Sequence, residues 1–332
     1  MNSPWQSIPD RWLFVSTAAF VLLLSIGIAL WGKKPTTISN LPGDQIVLAS
    51  GVDAAVLAGD TLFIQSNNVI KAINAVTGVA TTSTFDAPDR TRFMPSSSGA
   101  RLLLSPDAGQ WQTIDRMANG KSTPLDQSVF APAWSPDGQR IAYVFYPTDN
   151  SRTTLTLANA DGTDWHSVLE LPHLYEALWW SPLQTYLIGL DGNGEGGYTY
   201  VRVLLSSKRT ETLASARAPA GLRWSTDGKF AAIDLAEGKL GIVTTETGEV
   251  RSLVMTTDTE HMIWESGTSM LALESGDTGK ILRIDATQLA ATVIGQLPAQ
   301  FAYYHPLGVV NNTLILHGEL QVISFPISAR AQ

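Results

Sequence analysis

The chain contains no cysteine. That excludes disulfide staples, thiolate metal sites and a cysteine nucleophile. It does not separate cytosol from periplasm, because 332 residues can build a core that needs no staples. Catalytic signatures are missing as well. There is no GxSxG elbow, no GxxxxGK[ST] phosphate loop and no GxGxxG turn. The stretch SGDTGK at Ser275–Lys280 has the wrong spacing for a phosphate loop. No HExxH motif occurs, and His166, His173, His261, His305 and His317 are scattered with no pair four apart. Basic charge is scarce. Taking Arg11, Lys33, Lys34 and Asp10 from totals of 22 basic and 30 acidic residues leaves 19 and 29 from Pro35 onward. A body with that balance and no basic run is poorly suited to the nucleic-acid backbone, so no nucleic-acid partner is expected. No cofactor is expected either.

One long apolar run is present. Residues 1–11 are a short polar head, and Trp12–Trp31 (WLFVSTAAFVLLLSIGIALW) carries no charge. As a helix rising about 1.5 Å per residue it spans about 30 Å, the thickness of a hydrocarbon core. Tryptophans at both ends suit the interfacial belts. The run exceeds a signal-peptide core, and no small-x-small cleavage site follows it. The expectation is a single N-terminal transmembrane helix at residues 12–31 that holds the chain at a cell membrane. Residues 32–43 form a linker in which Lys33–Gly43 (KKPTTISNLPG) reaches at most about 35 Å, so the body must sit close to the bilayer.

Beyond Asp44 only strand-like patterning is found. Pro132–Val144 reads PAWSPDGQRIAYV, a hairpin in which Pro presets φ, Asp bonds its own turn and Gly accepts positive φ. It recurs as LWWSPLQTYLIGL, LRWSTDGKFAAID and MIWESGTSMLALE, anchored by Trp134, Trp180, Trp224 and Trp264 at spacings of 46, 44 and 40. Weaker equivalents stand near Ala54, Met94 and His305. Seven strand-only units of that period predict an all-β fold, a seven-bladed β-propeller over residues 44–327 with a tail at 328–332. The last unit lacks one strand, and Gln45–Ser50 (QIVLAS) precedes the first. That orphan is expected to complete the last blade and close the ring, which removes open sheet ends.

WSPDG followed by a short apolar strand resembles the TolB-like, or WD-like, repeat of bacterial propellers. The unit at Trp134 carries the full signature, those at Trp180 and Trp224 most of it. The resemblance covers Gln45–Pro326. It implies an extracytoplasmic body serving as a protein-interaction platform, whereas the count of basic residues flanking the apolar run favours a body that stays inside. Other relatives are propeller domains of peptidases, or lyases with a metal at the axis.

The repeated tryptophans read as inter-blade packing, and Asp137 and Asp227 as turn residues. The residues that lead into each innermost strand, Asp53, Arg92, Gln127, Tyr175, Arg217, Glu260 and Tyr303, could ring the channel mouth as a ligand or partner site. His261 and His305 could meet at one end of the channel, with Glu260 and Glu176 in similar places. Asp191, Asn193 and Glu195 in DGNGEGG alternate like a calcium loop, but its twelfth position is Arg202 where a bidentate Glu is needed. The function expected is a membrane-anchored, non-enzymatic interaction module with protein partners, integral membrane proteins included. The alternative is a ligand- or metal-binding propeller that uses the channel.

Overall fold

The computed structural model describes residues 46–87, 91–105, 110–115, 121–125, 128–147, 152–192, 197–216, 221–255, 257–274, 279–301, 303–311 and 313–326. The predicted anchor, linker and tail lie outside these. Among the described residues no helix is long and apolar enough to cross a membrane. The described residues hold twenty-eight strands, and the helical content among them is confined to short 3-10 turns such as Thr259–His261 and Ala299–Phe301.

The strands group into seven antiparallel sets of four. The innermost strands of blades 1 to 7 are Ala54–Ala58, Arg92–Pro95, Val129–Trp134, Tyr175–Trp180, Leu222–Trp224, Met262–Trp264 and His305–Val310. A single bridge, Ala216 to Leu235, joins the sheets of blades 4 and 5. The expected closure is present: Ile46–Ser50 pairs antiparallel with Gln321–Pro326 and becomes the outer strand of blade 7.

Alternation along each strand builds the ring. In Arg101–Ser105, Leu102 and Leu104 pack towards Phe63 and Ile70 of blade 1, while Leu103 packs towards Ile141 and Tyr143 of blade 3. The same division gives seven apolar clusters, one between each pair of neighbouring blades, the last joining Ile315 and Val322 of blade 7 to Val52 and Leu62 of blade 1. Each sheet buries both faces only against its neighbours.

The repeat's residues hold this packing. Trp134 Nε1 donates to Met94 O at 2.9 Å, Trp180 to Ala133 O at 3.1 Å and Trp264 to Arg223 O at 2.8 Å. Each bond crosses from one blade to the preceding one. Arg140, Tyr186 and Phe230, the first residues of successive second strands, pack on Trp180, Trp224 and Trp264 of the next blade. The turn is built as its sequence demands. Ser135 Oγ donates to Asp137 Oδ1 at 2.6 Å and accepts from the Arg140 N–H at 2.9 Å, and Gly138 sits at φ +65°. Ser225, Asp227 and Gly228 repeat the arrangement.

The marker phase needs correction in two blades. Ala54 and His305 open their inner strands, whereas Trp134 closes its own. The positions that close the strand are Ala58 and Val310, each joined to the next strand by a tight turn that has no room for the serine loop.

Candidate functional site

Apart from the closing strand Ile46–Ser50 of blade 7, the chain enters each blade at its innermost strand and steps outward, so all innermost strands run in one direction and their leading ends meet at one mouth of the channel. Five of the predicted rim residues are described there. Gln127 and Arg217 lie outside the described residues. Asp53 is exposed and its N–H donates to Gln65 O at 2.8 Å. Arg92 opens its strand half-buried, and burial lowers its guanidinium pKa. Tyr303 is exposed. Glu260 lies in the 3-10 turn before the inner strand of blade 6.

Tyr175 departs from the expectation. Its side chain is 1% exposed and packs in the cluster between blades 3 and 4. Gly189 makes room for it: a Cβ there would lie 2.3 Å from Tyr175 Cδ2. The residue leads its strand as predicted, but its ring belongs to the core. Of the calcium-loop residues, Asn193 and Glu195 lie outside the described residues. Asp191 is buried and bonded by His173 Nδ1 at 3.1 Å. Among the described residues no three His, Asp or Glu side chains are placed to hold a metal ion.

The richest polar cluster spans blades 4 to 7 at this mouth. Asp234 is the centre of its inner layer. Its Oδ1 accepts from the Thr259 N–H at 2.9 Å, and its Oδ2 accepts from Thr259 Oγ1 at 2.5 Å and from the Gly221 N–H at 3.0 Å. Tyr200 Oη donates to Gly221 O at 2.6 Å and accepts from the Asp234 N–H at 3.2 Å. The Asp234 carboxylate therefore fastens blade 5 to blade 6, and the residue's backbone N–H fastens blade 5 to Tyr200 of blade 4. Burial raises the Asp234 pKa against the pull of the Thr259 and Gly221 bonds.

The outer layer is Asp258, Glu260, His261 and His305, with Arg223 behind. His261 Nδ1 bonds Asp258 Oδ1 at 2.7 Å, and the rings of His261 and His305 lie 4.7 Å apart. The sequence expectation that these histidines meet is thus realised. Burial, then the charge of Asp258, push Glu260 up to about 7. Burial would also raise Asp258, but the His261 bond and charge carry it below its ordinary value. Burial and the neighbouring His261 and His317 lower His305 to about 4. Among the described residues His305 Nδ1 and His317 Nε2 are buried without a hydrogen-bond partner, and the two residues are cross-strand neighbours. The mouth thus presents the neutral imidazoles of His305 and His317 beside a carboxyl that titrates near neutrality, a surface able to exchange protons and hydrogen bonds with an occupant. Sequence reasoning missed Asp234, Thr259 and Arg223. Asp234 and Thr259 are 25 positions apart and share no motif, so only the ring brings them together.

No protein-family profile matches the chain, and no curated protein does. Solved structures do. A chain of the structure described as "Crystal Structure of Mitotic Checkpoint Complex" aligns with a TM-score of 0.59 at 12% identity, covering 91% of this chain and all of that one. A chain of "Crystal structure of Nidogen/Laminin Complex" aligns with a TM-score of 0.48 at 11% identity over 72% of this chain and 94% of that one. The first likeness and the closed ring agree on the class: the protein is a β-propeller.

Proposed function

We propose that this protein is a membrane-anchored, non-enzymatic interaction platform of TolB-like repeat architecture, an accessory subunit of a membrane assembly with its propeller on the extracytoplasmic side. The observation that carries the reading is the outer rim. Natural sheets protect their edges with charge. The outer strands of blades 1, 3, 4 and 5 follow that rule with Asp86, Glu170, Arg209, Glu211 and Arg251. Blade 6 ends in Ala290–Gln296 (AATVIGQ), uncharged and exposed at every residue except the half-buried Gly295. The outer strand of blade 7, Ile46–Ser50 (IVLAS), is also uncharged, and it follows the tether directly. An uncharged edge beside the membrane attachment suits addition of a strand from a partner anchored in the same bilayer. Co-purification of the full chain in mild detergent tests it. A stoichiometric partner is expected, lost in Val293→Lys with the thermal midpoint unchanged. A chain that purifies alone, or a lysine variant that keeps its partner, overturns the reading. Protease added to intact cells should digest the propeller; its protection would place the body inside.

A second reading, a ligand site in the channel, is favoured by the unpartnered His305 Nδ1 and His317 Nε2.

A further inference from the structure

The repeat places an aromatic ring, Tyr186 or Phe230, at the start of the second strand, against the tryptophan of the next blade. Blade 3 puts Arg140 in that slot, with its guanidinium 5.0 Å from the centre of the Trp180 ring. Blade 2 also has an arginine there, Arg101, but its cross-strand neighbour is Asp115 and the two form an ion pair at 3.5 Å. The cross-strand neighbour of Arg140 is Asn159. The acid that neutralises the slot in blade 2 is absent in blade 3. The carboxylate in Arg140's own turn, Asp137, is hydrogen-bonded by Ser135 Oγ and the Gln139 N–H and feels the Arg140 charge only as the smallest of its influences. Arg140 Nη2 donates to Gln184 Oε1 at 3.0 Å, so ring and amide fix the fork while its other donors remain free among the described residues.

Arg140 faces a cleft of about 390 Å³ between blades 3 and 4. Lys208, held at φ +53° in the outer turn of blade 4, lines it from the other side, and no carboxylate among the lining residues opposes the two cations. Ser167, Thr185 and Ser206 add hydroxyl donors, His166 an imidazole, and Leu157 and Leu205 an apolar wall. In a protein of net charge −8, two cations that line a cleft with no carboxylate among its lining residues select an anion. The donors exceed what a carboxylate's two oxygens can accept, and match the three terminal oxygens of a phosphate held by a guanidinium fork and an ammonium point charge. The volume is at the lower end of the range for small-molecule sites and leaves room for a compact organic body beyond the phosphate.

We propose that this cleft binds a small phosphate monoester, with Arg140 and Lys208 gripping the phosphate. The phosphate could come from a free metabolite or from a lipid headgroup, and the test separates them. The full chain in non-ionic detergent is titrated calorimetrically with sn-glycerol 3-phosphate, with inorganic phosphate, and with micelles doped with phosphatidic acid; glycerol is the control. Saturable heat is expected with glycerol phosphate and none with glycerol. Lys208→Met should weaken binding about tenfold, and Arg140→Gln by more. Lys208 is exposed, so its variant keeps the fold, as an unchanged thermal midpoint will show. Lys208-dependent binding to doped micelles alone assigns the same site to a headgroup. Failure of all three phosphates to bind, or unchanged affinity in Lys208→Met, overturns the proposal.

Discussion

Glu176 and Glu260 are each held near pH 7, first by burial, and Tyr198 hydrogen-bonds the Glu176 carboxylate in partial opposition. A carboxyl raised in the fold above its free value of 4.5 contributes stability that is full below about 4.5 and is lost as pH climbs through 7. His305 works the other way. Lowered from 6.5 to about 4, it contributes stability above 6.5 that is lost as pH falls through 4. The two slopes oppose each other across mildly acid pH. Glu260→Gln should therefore raise the thermal midpoint at pH 8 and leave it unchanged at pH 4, as near-UV circular dichroism can follow. Equal midpoints at pH 8 would contradict the assignment. His305 should remain neutral at pH 5.5 in an imidazole NMR titration.

The repeat tryptophans differ in one respect that mutation can read. Trp134, Trp180 and Trp264 each donate across a blade boundary, whereas Trp224 Nε1 has no partner among the described residues. Replacing the first three by Phe should cost about 0.5–1.5 kcal/mol beyond the shared loss of ring area, a penalty Trp224→Phe escapes. Urea midpoints will rank the four, and a Trp224 variant no milder than the others would refute the ranking. Gly189→Ala drives a methyl into the Tyr175 ring and should destabilise by about 1–3 kcal/mol. These contacts also show what the sequence could tell. Ser135, Asp137 and Trp134 recur because one turn and one staple are reused, so the period, the blade number and the tryptophans' packing role were readable. Blades 1 and 7 lack both residues, and their phase slipped to Ala54 and His305. The burial of Tyr175 was hidden because the space for it is made on another strand, at Gly189. The approach of His261 to His305 followed from repeat phase, but the Asp234–Thr259 link depends on side chains reaching between blades, which no linear pattern encodes.

The ring closes through Ile46–Ser50, and Ser324 Oγ donates to Ile46 O at 3.5 Å across 278 positions of chain. Removing that strand exposes the edge of Gln321–Pro326 and opens the seam between the two ends of the body. A chain beginning at Gly51 should aggregate on gel filtration and lose its sharp cooperative melt; a monomer with an unaltered midpoint would show closure to be dispensable. The same seam sets an order in time. Among the strands of the ring, Ile46–Ser50 is synthesised before the others and pairs with the last, Gln321–Pro326, after nearly the whole body has been made. At about 5–20 residues per second that wait is tens of seconds, during which an uncharged strand stays without its partner.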